Sequence, residues 1–224
     1  MTPDPQANTS APRPLPLFPL GTVLFPQGML PLRIFELRYL EMIGQCLRTG
    51  EPFGIVLLSH GHEVRQPGQP EVLSDVGTCA TVVAHQRPQP GLIHIECQGQ
   101  QRFRLLDRHQ EKNGLWVGNA QLLPPDDPVW TVPDDLTPAA RLLSQLMSEA
   151  MDKASAGDAA GLAAQPSRLY QGTPHFDQSG WVADRWCEIL PLPLHQKQQL
   201  LEVESPVLRL ELVADLLRQN GLID

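Results

Sequence analysis

Short apolar runs near the start of the chain alternate with turn-forming residues. Between residues 16 and 39, proline or glycine interrupts these runs at Pro19, Gly21, Pro26, Gly28 and Pro31. This punctuation favours extended segments that turn tightly and re-enter a sheet. Alternate residues of one such segment, Leu30, Leu32 and Ile34, share one face, which we expect to be buried. The pattern predicts two or three strands within residues 15–35, with a turn at residues 26–28 between Thr22–Phe25 and Met29–Phe35.

The period of the apolar positions becomes helical after Glu36. Apolar residues then recur at steps of three or four, as expected for one stripe of an amphipathic helix. They are Leu37, Leu40, Ile43 and Leu47. The predicted helix covers residues 36–49, and Gly50 supplies a C-terminal cap. We expect this stripe to pack on the sheet.

Strand-like runs follow, up to residue 123. They span residues 53–59, 71–86, 92–98, 102–110 and 115–123. The later runs are separated by turn residues at Gln89-Pro90-Gly91, Gly99 and Asn113-Gly114. Turns about ten residues apart are typical of an antiparallel meander that can curl into a barrel. Residues 14–125 are therefore predicted to form a mostly antiparallel β domain with one packed helix.

Helical patterns replace strand patterns in residues 126–224. Four helices are predicted, over residues 137–153, 179–189, 195–204 and 207–220. Thr137-Pro138, Ser179 and Ser205-Pro206 are suited to their N-termini. The Ala- and Gly-rich stretch near residues 155–176 predicts a mobile loop, and the polar, proline-rich residues 1–13 predict a disordered tail. The fold class is thus α+β, a β domain followed by a helical subdomain.

Composition and charge limit the classes of partner. The chain has 224 residues, of which 42% are hydrophobic, and a net charge of −8 from 17 basic and 25 acidic residues. A globular core can form with this composition. Nucleic-acid binding is disfavoured, because a phosphate backbone requires a concentrated basic surface.

Cysteine usage and the absence of long apolar runs predict a cytoplasmic protein. The four cysteines are widely spaced, form no C-x-x-C pair and lie in apolar segments: Cys46, Cys79, Cys97 and Cys187. Such thiols behave as small buried hydrophobes in a reducing compartment. The N-terminus lacks a secretory apolar segment, and no run approaches the ~18 apolar residues of a membrane span.

A metal site and a catalytic site are less favoured interpretations of this sequence. His60, His62 and Glu63 could be metal ligands if Cys79, His85 or His94 were close, but zinc needs three or four convergent groups and a solvated loop is the favoured interpretation. A cysteine could act as nucleophile with His85, His94, His175 or His195 as base, although buried structural thiols are favoured. Ser179 and Lys197 could form a dyad, yet a helix cap explains the serine better. We expect no catalytic residue, metal or cofactor.

Polar residues cluster where the second predicted strand meets the first helix. They are Arg33, Glu36, Arg38 and Tyr39. Polar groups packed at such a junction must pair with each other or face solvent. In one interpretation, Arg38 donates hydrogen bonds to loop carbonyls and locks strand and helix together. In the other, these four residues contact a partner, and they are the candidate partner-binding residues.

Five ordered blocks resemble one known family. They are LPLFPLGTVLFPQGMLPLRIFELRY at residues 15–39, FGIVLL at 53–58, DVGTCATVV at 75–83, IECQGQQRFRLL at 95–106 and PLPLHQKQQLLEVESPVLRLELVADLL at 191–217. Together they resemble the substrate-binding domain at the N-terminus of the ATP-dependent Lon protease. The resemblance implies a PUA-like β-barrel followed by a C-terminal helical bundle.

The resemblance does not extend to Lon's enzymatic parts. No Gly-Lys pair of a Walker A loop occurs, and the 224 residues leave no room for a Ser-Lys peptidase domain. The resemblance therefore implies a stand-alone, non-catalytic module that binds polypeptide segments or a partner protein in proteolysis or quality control. The alternatives are a PUA-like RNA-binding module and a small hydrolase with an unrecognised Cys/His site.

Overall fold

A computed structural model describes residues 11–60, 71–126, 130–155 and 172–224. The chain divides into two compact units. The first unit comprises residues up to Pro26 together with Leu30–Pro125, and the second comprises Gln27–Met29 and Asp126–Asp224.

The first unit is a six-stranded sheet with one helix. Its elements are β1 (Arg13–Leu20), β2 (Met29–Ile34), α1 (Leu37–Thr49), β3 (Phe53–His60), β4 (Val72–Gln89), β5 (Leu92–Gln110) and β6 (Trp116–Leu122). The strand order is β2-β5-β4-β3-β1-β6, and β6 also pairs with β5. β1 and β3 run parallel, whereas β1–β6, β3–β4, β4–β5 and β5–β6 are antiparallel. The sheet is thus mostly antiparallel, as predicted, while the PUA-like barrel stays a prediction.

The expected break at Gly99 is wrong, because β5 runs through it as a single strand. A Cβ atom at this position would collide with the carbonyl oxygen of Phe25. The pairing with β4 also shifts register here, between Ala80↔Gly99 and Thr78↔Arg102. Gly99 therefore allows a close backbone approach inside a strand, which is one of the roles of glycine at strand-interior positions.

The segment Thr22–Phe25 is not a strand, contrary to our expectation. Side chains fix it instead: the buried hydroxyl of Thr78 donates a 2.6 Å hydrogen bond to the carbonyl of Leu24. The turn that follows places Gln27 in the left-handed region, with φ of 61°. Positive φ at this turn therefore falls on Gln27 and not on the neighbouring Gly28.

Helix α1 begins one residue later than predicted, at Leu37, and has the predicted end and cap. Gly50 has φ of 73°, and its N–H donates to the carbonyl of Cys46 at 2.8 Å, which ends the helix in the left-handed manner that glycine favours. The predicted stripe is partly wrong, because Leu37 is 70% exposed while Leu40 and Leu47 are half-buried. The helix is rotated so that Tyr39 faces inward and stacks on Phe18, with ring centroids 4.0 Å apart.

Two apolar clusters form the core of the first unit. One contains the inner face of α1 with residues of β1 to β5, including Phe18, Ile43 and Phe53. The other joins β1, β3, β4, β5 and β6, and its largest side chain is the fully buried Phe103. The sheet therefore buries apolar residues on both of its faces, which explains why β3 is a continuous apolar run.

The second unit contains helices at the four predicted places. They are α2 (Thr137–Ser155), α3 (Ser179–Ile189), α4 (Leu194–Glu202) and α5 (Pro206–Gln219), and a short 3₁₀ turn at Asp134–Leu136 precedes α2. Ser205 caps α5 as predicted, since its Oγ accepts from the N–H of Leu208 at 3.3 Å. Ser179 does not cap α3; its hydroxyl donates to the carbonyl of Thr131 at 2.9 Å.

Most of the predicted mobile loop, and residues 1–10 of the predicted tail, lie outside the described residues. The label of a helical bundle for the second unit stays a prediction. None of the described helices is long and apolar enough to cross a membrane.

Helix α3 is the buried centre of the second unit. Every residue from Ser179 to Cys187 is buried. The indole N–H of Trp186 donates to the carbonyl of Ala139 in α2 at 3.0 Å. A fully buried guanidinium, that of Arg209 in α5, donates to Asp184 of α3 at 2.8 Å and to Asp126 at 2.6 Å. Helix packing in this unit thus includes a buried ion cluster.

Candidate functional site

The junction of β2 and α1 is the candidate site from the sequence, and the structure divides its residues into two groups. Arg38 and Tyr39 are buried, Glu36 is half-buried and Arg33 is exposed. The junction therefore has an inward side and an outward side.

The inward group is a structural lock. The Arg38 guanidinium donates to the carbonyl of Gly114 at 2.8 Å and to the Glu36 carboxylate at 3.1 Å. It also lies 4.5 Å from the centroid of the Tyr39 ring, within the range of a cation–π contact. Gly114 belongs to the turn between β5 and β6, so Arg38 fixes the start of α1 to a distant hairpin. This is the loop-carbonyl interaction that the first interpretation predicted.

The outward group forms an apolar surface. Phe35 is 58% exposed and Leu37 is 70% exposed, and Arg33 is exposed beside them in sequence. We call Arg33, Phe35 and Leu37 the β2–α1 surface, whereas Leu32 is half-buried and packs against the core on the side of Ile34. The sequence reasoning missed Phe35 and Leu37, although the alternation that buries Ile34 turns its neighbours Arg33 and Phe35 the other way.

A groove extends from this surface along the sheet. Its volume is about 490 Å³, and it is lined by Pro31, Leu32 and Arg33 of β2 and by residues 84–86 and 94–96 of β4 and β5. Pro31 lacks an N–H, and β2 is the last strand in the sheet order. A proline at this position limits pairing with a further strand, so the groove favours binding by side chains over extension of the sheet.

One polar atom of the groove lacks a partner. The Nε2 atom of His94 is buried and has no hydrogen-bond partner within the described residues. The other polar residues that line the groove are Arg33, His85, Gln86 and Glu96, and its apolar lining consists of Pro31, Leu32, Ala84 and Ile95. The surface and groove together can hold apolar side chains, with a few polar groups to orient them.

The cysteine nucleophiles considered from the sequence are buried thiols. Burial raises the pKa of Cys79 to about 11 and that of Cys97 to about 12. Burial also raises the pKa of Cys46 and of Cys187, whose thiol lies near Asp184. Thiols with raised pKa values are protonated near neutral pH and are poor nucleophiles.

Ser179 and Lys197 have separate partners. The serine hydroxyl donates to the carbonyl of Thr131, and the Lys197 ammonium donates to the carbonyl of Glu188 at 3.2 Å. Both side chains therefore make structural contacts to the backbone. The pKa of Lys197 is lowered chiefly by burial.

The metal alternative falls partly outside the described residues, because His62 and Glu63 lie there. Across the ranges that the structure describes, no three His, Cys, Asp or Glu side chains are grouped so as to hold an ion.

Comparison with known proteins gives the family. Residues 14–219 match the family model of the ATP-dependent protease La (LON) substrate-binding domain. The chain belongs to this family. It is 28% identical to the Lon protease of Anaeromyxobacter dehalogenans and 29% identical to that of Paraburkholderia phytofirmans, each over 214 residues. The alignments cover 93% of this chain but only 23% and 25% of those proteases, so the chain spans about a quarter of their length.

A solved structure has the same fold. The Lon N-terminal domain protein from Xanthomonas campestris superposes with a TM-score of 0.69 at 28% identity, covering 91% of this chain and 98% of that one. The substrate-binding domain is the part of Lon that these matches cover. The β2–α1 surface thus belongs to a Lon substrate-binding domain.

Proposed function

We propose that this Lon-type domain is a non-enzymatic module that binds apolar polypeptide segments at the β2–α1 surface, in proteolysis or quality control in the cytoplasm. The observation that carries this proposal is the pair of exposed apolar side chains, Phe35 and Leu37, beside a groove lined by Leu32. Large apolar side chains held in solvent by a rigid scaffold are typical of binding surfaces.

The rigidity of the scaffold supports the proposal. Arg38 ties the first turn of α1 to the β5–β6 hairpin, and Tyr39 stacks on Phe18. Phe35 and Leu37 immediately precede these anchored residues in the chain, so little backbone entropy is lost when their side chains are covered. Burying a Leu or Phe side chain fully contributes about 1.5–3 kcal/mol, which is sufficient for micromolar binding when several contacts combine.

The test is binding of a permanently unfolded protein, such as reduced and carboxymethylated lactalbumin, measured by calorimetry. Phe35→Ser and Leu37→Ser together are expected to weaken binding about tenfold or more, since both contacts are lost. Leu106→Ser is the matched control, because Leu106 is a similarly exposed apolar residue of β5 that does not line the groove.

Absence of binding by the unaltered chain, or equal losses in the control, would contradict the proposal. A parallel titration with single-stranded RNA distinguishes the alternative function. Salt-dependent RNA binding without polypeptide binding would favour the RNA-binding module.

A further inference from the structure

A second groove lies in the other unit, between α4 and α5. Its volume is about 340 Å³, and its apolar lining consists of Leu200, Val203, Leu212 and Leu216. Asp215 and three glutamines border it. We call this the leucine groove. It belongs wholly to the second unit and shares no residue with the β2–α1 surface.

Helix α5 extends this apolar lining with a second stripe. Leu208 is 47% exposed and Leu212 is 40% exposed, and Leu216 is half-buried, so leucines recur at every fourth position on the outer side. The opposite face already packs in the core through Leu210, Val213 and Leu217. A surface helix needs only one apolar stripe to pack against its own domain. The outer stripe is therefore not needed to pack α5 against the described residues of its own unit.

Two exposed carboxylates of α5, Glu211 and Asp215, lie beside the outer leucine stripe, and Asp215 also lines the groove. From Leu194 to Asp224 the sequence has five carboxylate side chains, namely Glu202, Glu204, Glu211, Asp215 and Asp224, against three lysine or arginine residues. Two of these three cations serve internal contacts: Lys197 binds the carbonyl of Glu188, and Arg209 is buried with Asp184 and Asp126. Arg218 lies on the exposed side of α5, where Asp215 accepts its hydrogen bond at 2.9 Å.

We propose that the leucine groove docks an amphipathic α-helix of a partner protein, with leucine-like residues on one face and lysine or arginine on its flanks. Leucines spaced by four form a ridge between which the side chains of another helix can pack. The acidic border complements cationic flanks. A second copy of α5 is disfavoured as the occupant, because its own carboxylates, such as Glu211, would be brought against the same acidic border.

This proposal is independent of the function proposed above. The probe is a synthetic peptide of about 18 residues, about 27 Å long as a helix, built of leucine on one face and lysine elsewhere. Its binding to the full chain is measured by fluorescence anisotropy at physiological salt. We expect saturable binding that Leu212→Glu weakens about tenfold or more, because a buried leucine contact is lost and the charge is buried without a partner.

Three controls define the result. A peptide of the same composition with its leucines scattered around the helix, and a peptide with glutamate in place of lysine, are both expected to bind at least about tenfold more weakly. Leu222→Glu, at a similarly exposed position outside the groove, is expected to leave binding unchanged. Circular dichroism confirms that both variants fold.

The proposal is overturned if the patterned peptide shows no saturation up to about 1 mM, or binds the Leu212→Glu variant equally well. Sedimentation that reveals a dimer abolished by Leu212→Glu would also overturn it, since the groove would then hold a second copy of the chain.

Discussion

The two units bury polar groups in different ways. In the first unit, the core consists of two apolar clusters, and Arg38 and Arg102 are its buried charged residues within the described ranges. In the second unit, Arg185 and Arg209 are fully buried beside Asp184, at the centre of the helix packing. Apolar cores tolerate substitution according to volume, whereas a buried ion cluster depends on every partner being present. The second unit should therefore be the more sensitive to loss of a single charge.

The largest expected effect is that of Arg209→Ala. Removal of this guanidinium leaves Asp184 buried and Asp126 partly buried, without their shared cation. Breaking one partner of a buried ion pair costs about 3–5 kcal/mol of unfolding free energy. Urea unfolding followed by circular dichroism measures this loss.

An apolar replacement of both partners is the control. Arg209→Met combined with Asp184→Leu removes the buried charges together, and we expect the double variant to be clearly more stable than Arg209→Ala. If Arg209→Ala lowers the unfolding free energy by less than about 1 kcal/mol, the ion cluster does not stabilise the second unit as described.

The next effect is a pH dependence caused by Glu188. Burial raises its pKa to about 8 from 4.5, although the Arg185 guanidinium, 3.0 Å from its carboxylate, opposes the shift. Between these two pH values the folded protein keeps a proton that the unfolded chain has released. The unfolding free energy should therefore fall as the pH rises through this window and level off above it.

Glu188→Gln should abolish the fall of the unfolding free energy that Glu188 causes between these pH values. Glutamine resembles the protonated carboxyl group and can still accept the hydrogen bond from Arg185, but it cannot ionise, so the informative quantity is the slope of the unfolding free energy against pH. Equal slopes for both proteins from pH 5 to pH 8 would show that Glu188 is ionised in the folded state.

Arg38 provides the matching test in the first unit. Arg38→Ala removes the hydrogen bonds to Gly114 and Glu36 and the contact with Tyr39. We expect a loss of about 1.5–3 kcal/mol, because the carbonyl of Gly114 is left without this donor. Arg33→Ala, at an exposed position of the same junction, should change stability by no more than about 0.5 kcal/mol. Comparable losses in the two variants would contradict the distinction between inward and outward residues.

Local signals in the sequence identified the elements well. Gly50, Ser205 and Asn113-Gly114 mark a helix end, a helix start and a hairpin turn through backbone preferences of their own, and the structure confirms each of them: Gly50 and Gly114 have positive φ, and Ser205 caps α5. Gly99 shows the limit of such signals. Its conformational freedom predicts a turn, but the reason for glycine is a carbonyl oxygen from Phe25, 74 positions earlier, that no local pattern reveals.

The candidate site could be predicted only in part, for a similar reason. Polarity marks four residues at the junction as candidates, yet Arg38 and Tyr39 face inward, and the partner of Arg38 is 76 positions away. Leucines at steps of three or four fit more than one rotation of a helix, so periodicity alone predicts Leu37 on the buried stripe. Contact between Tyr39 and Phe18 fixes the actual rotation and turns Leu37 to solvent.

The smallest expected effect concerns stability at the β2–α1 surface. Leu37→Ser should change the unfolding free energy by less than about 0.5 kcal/mol, because an exposed side chain gains little from folding. The same substitution at the inward-facing Ile43 should cost several times more, since it creates a cavity and buries a hydroxyl. Paired thermal and urea unfolding of the two variants measures the contrast. A large loss for Leu37→Ser would mean that this leucine packs within the fold. Leu37 would then not be available to bind a partner.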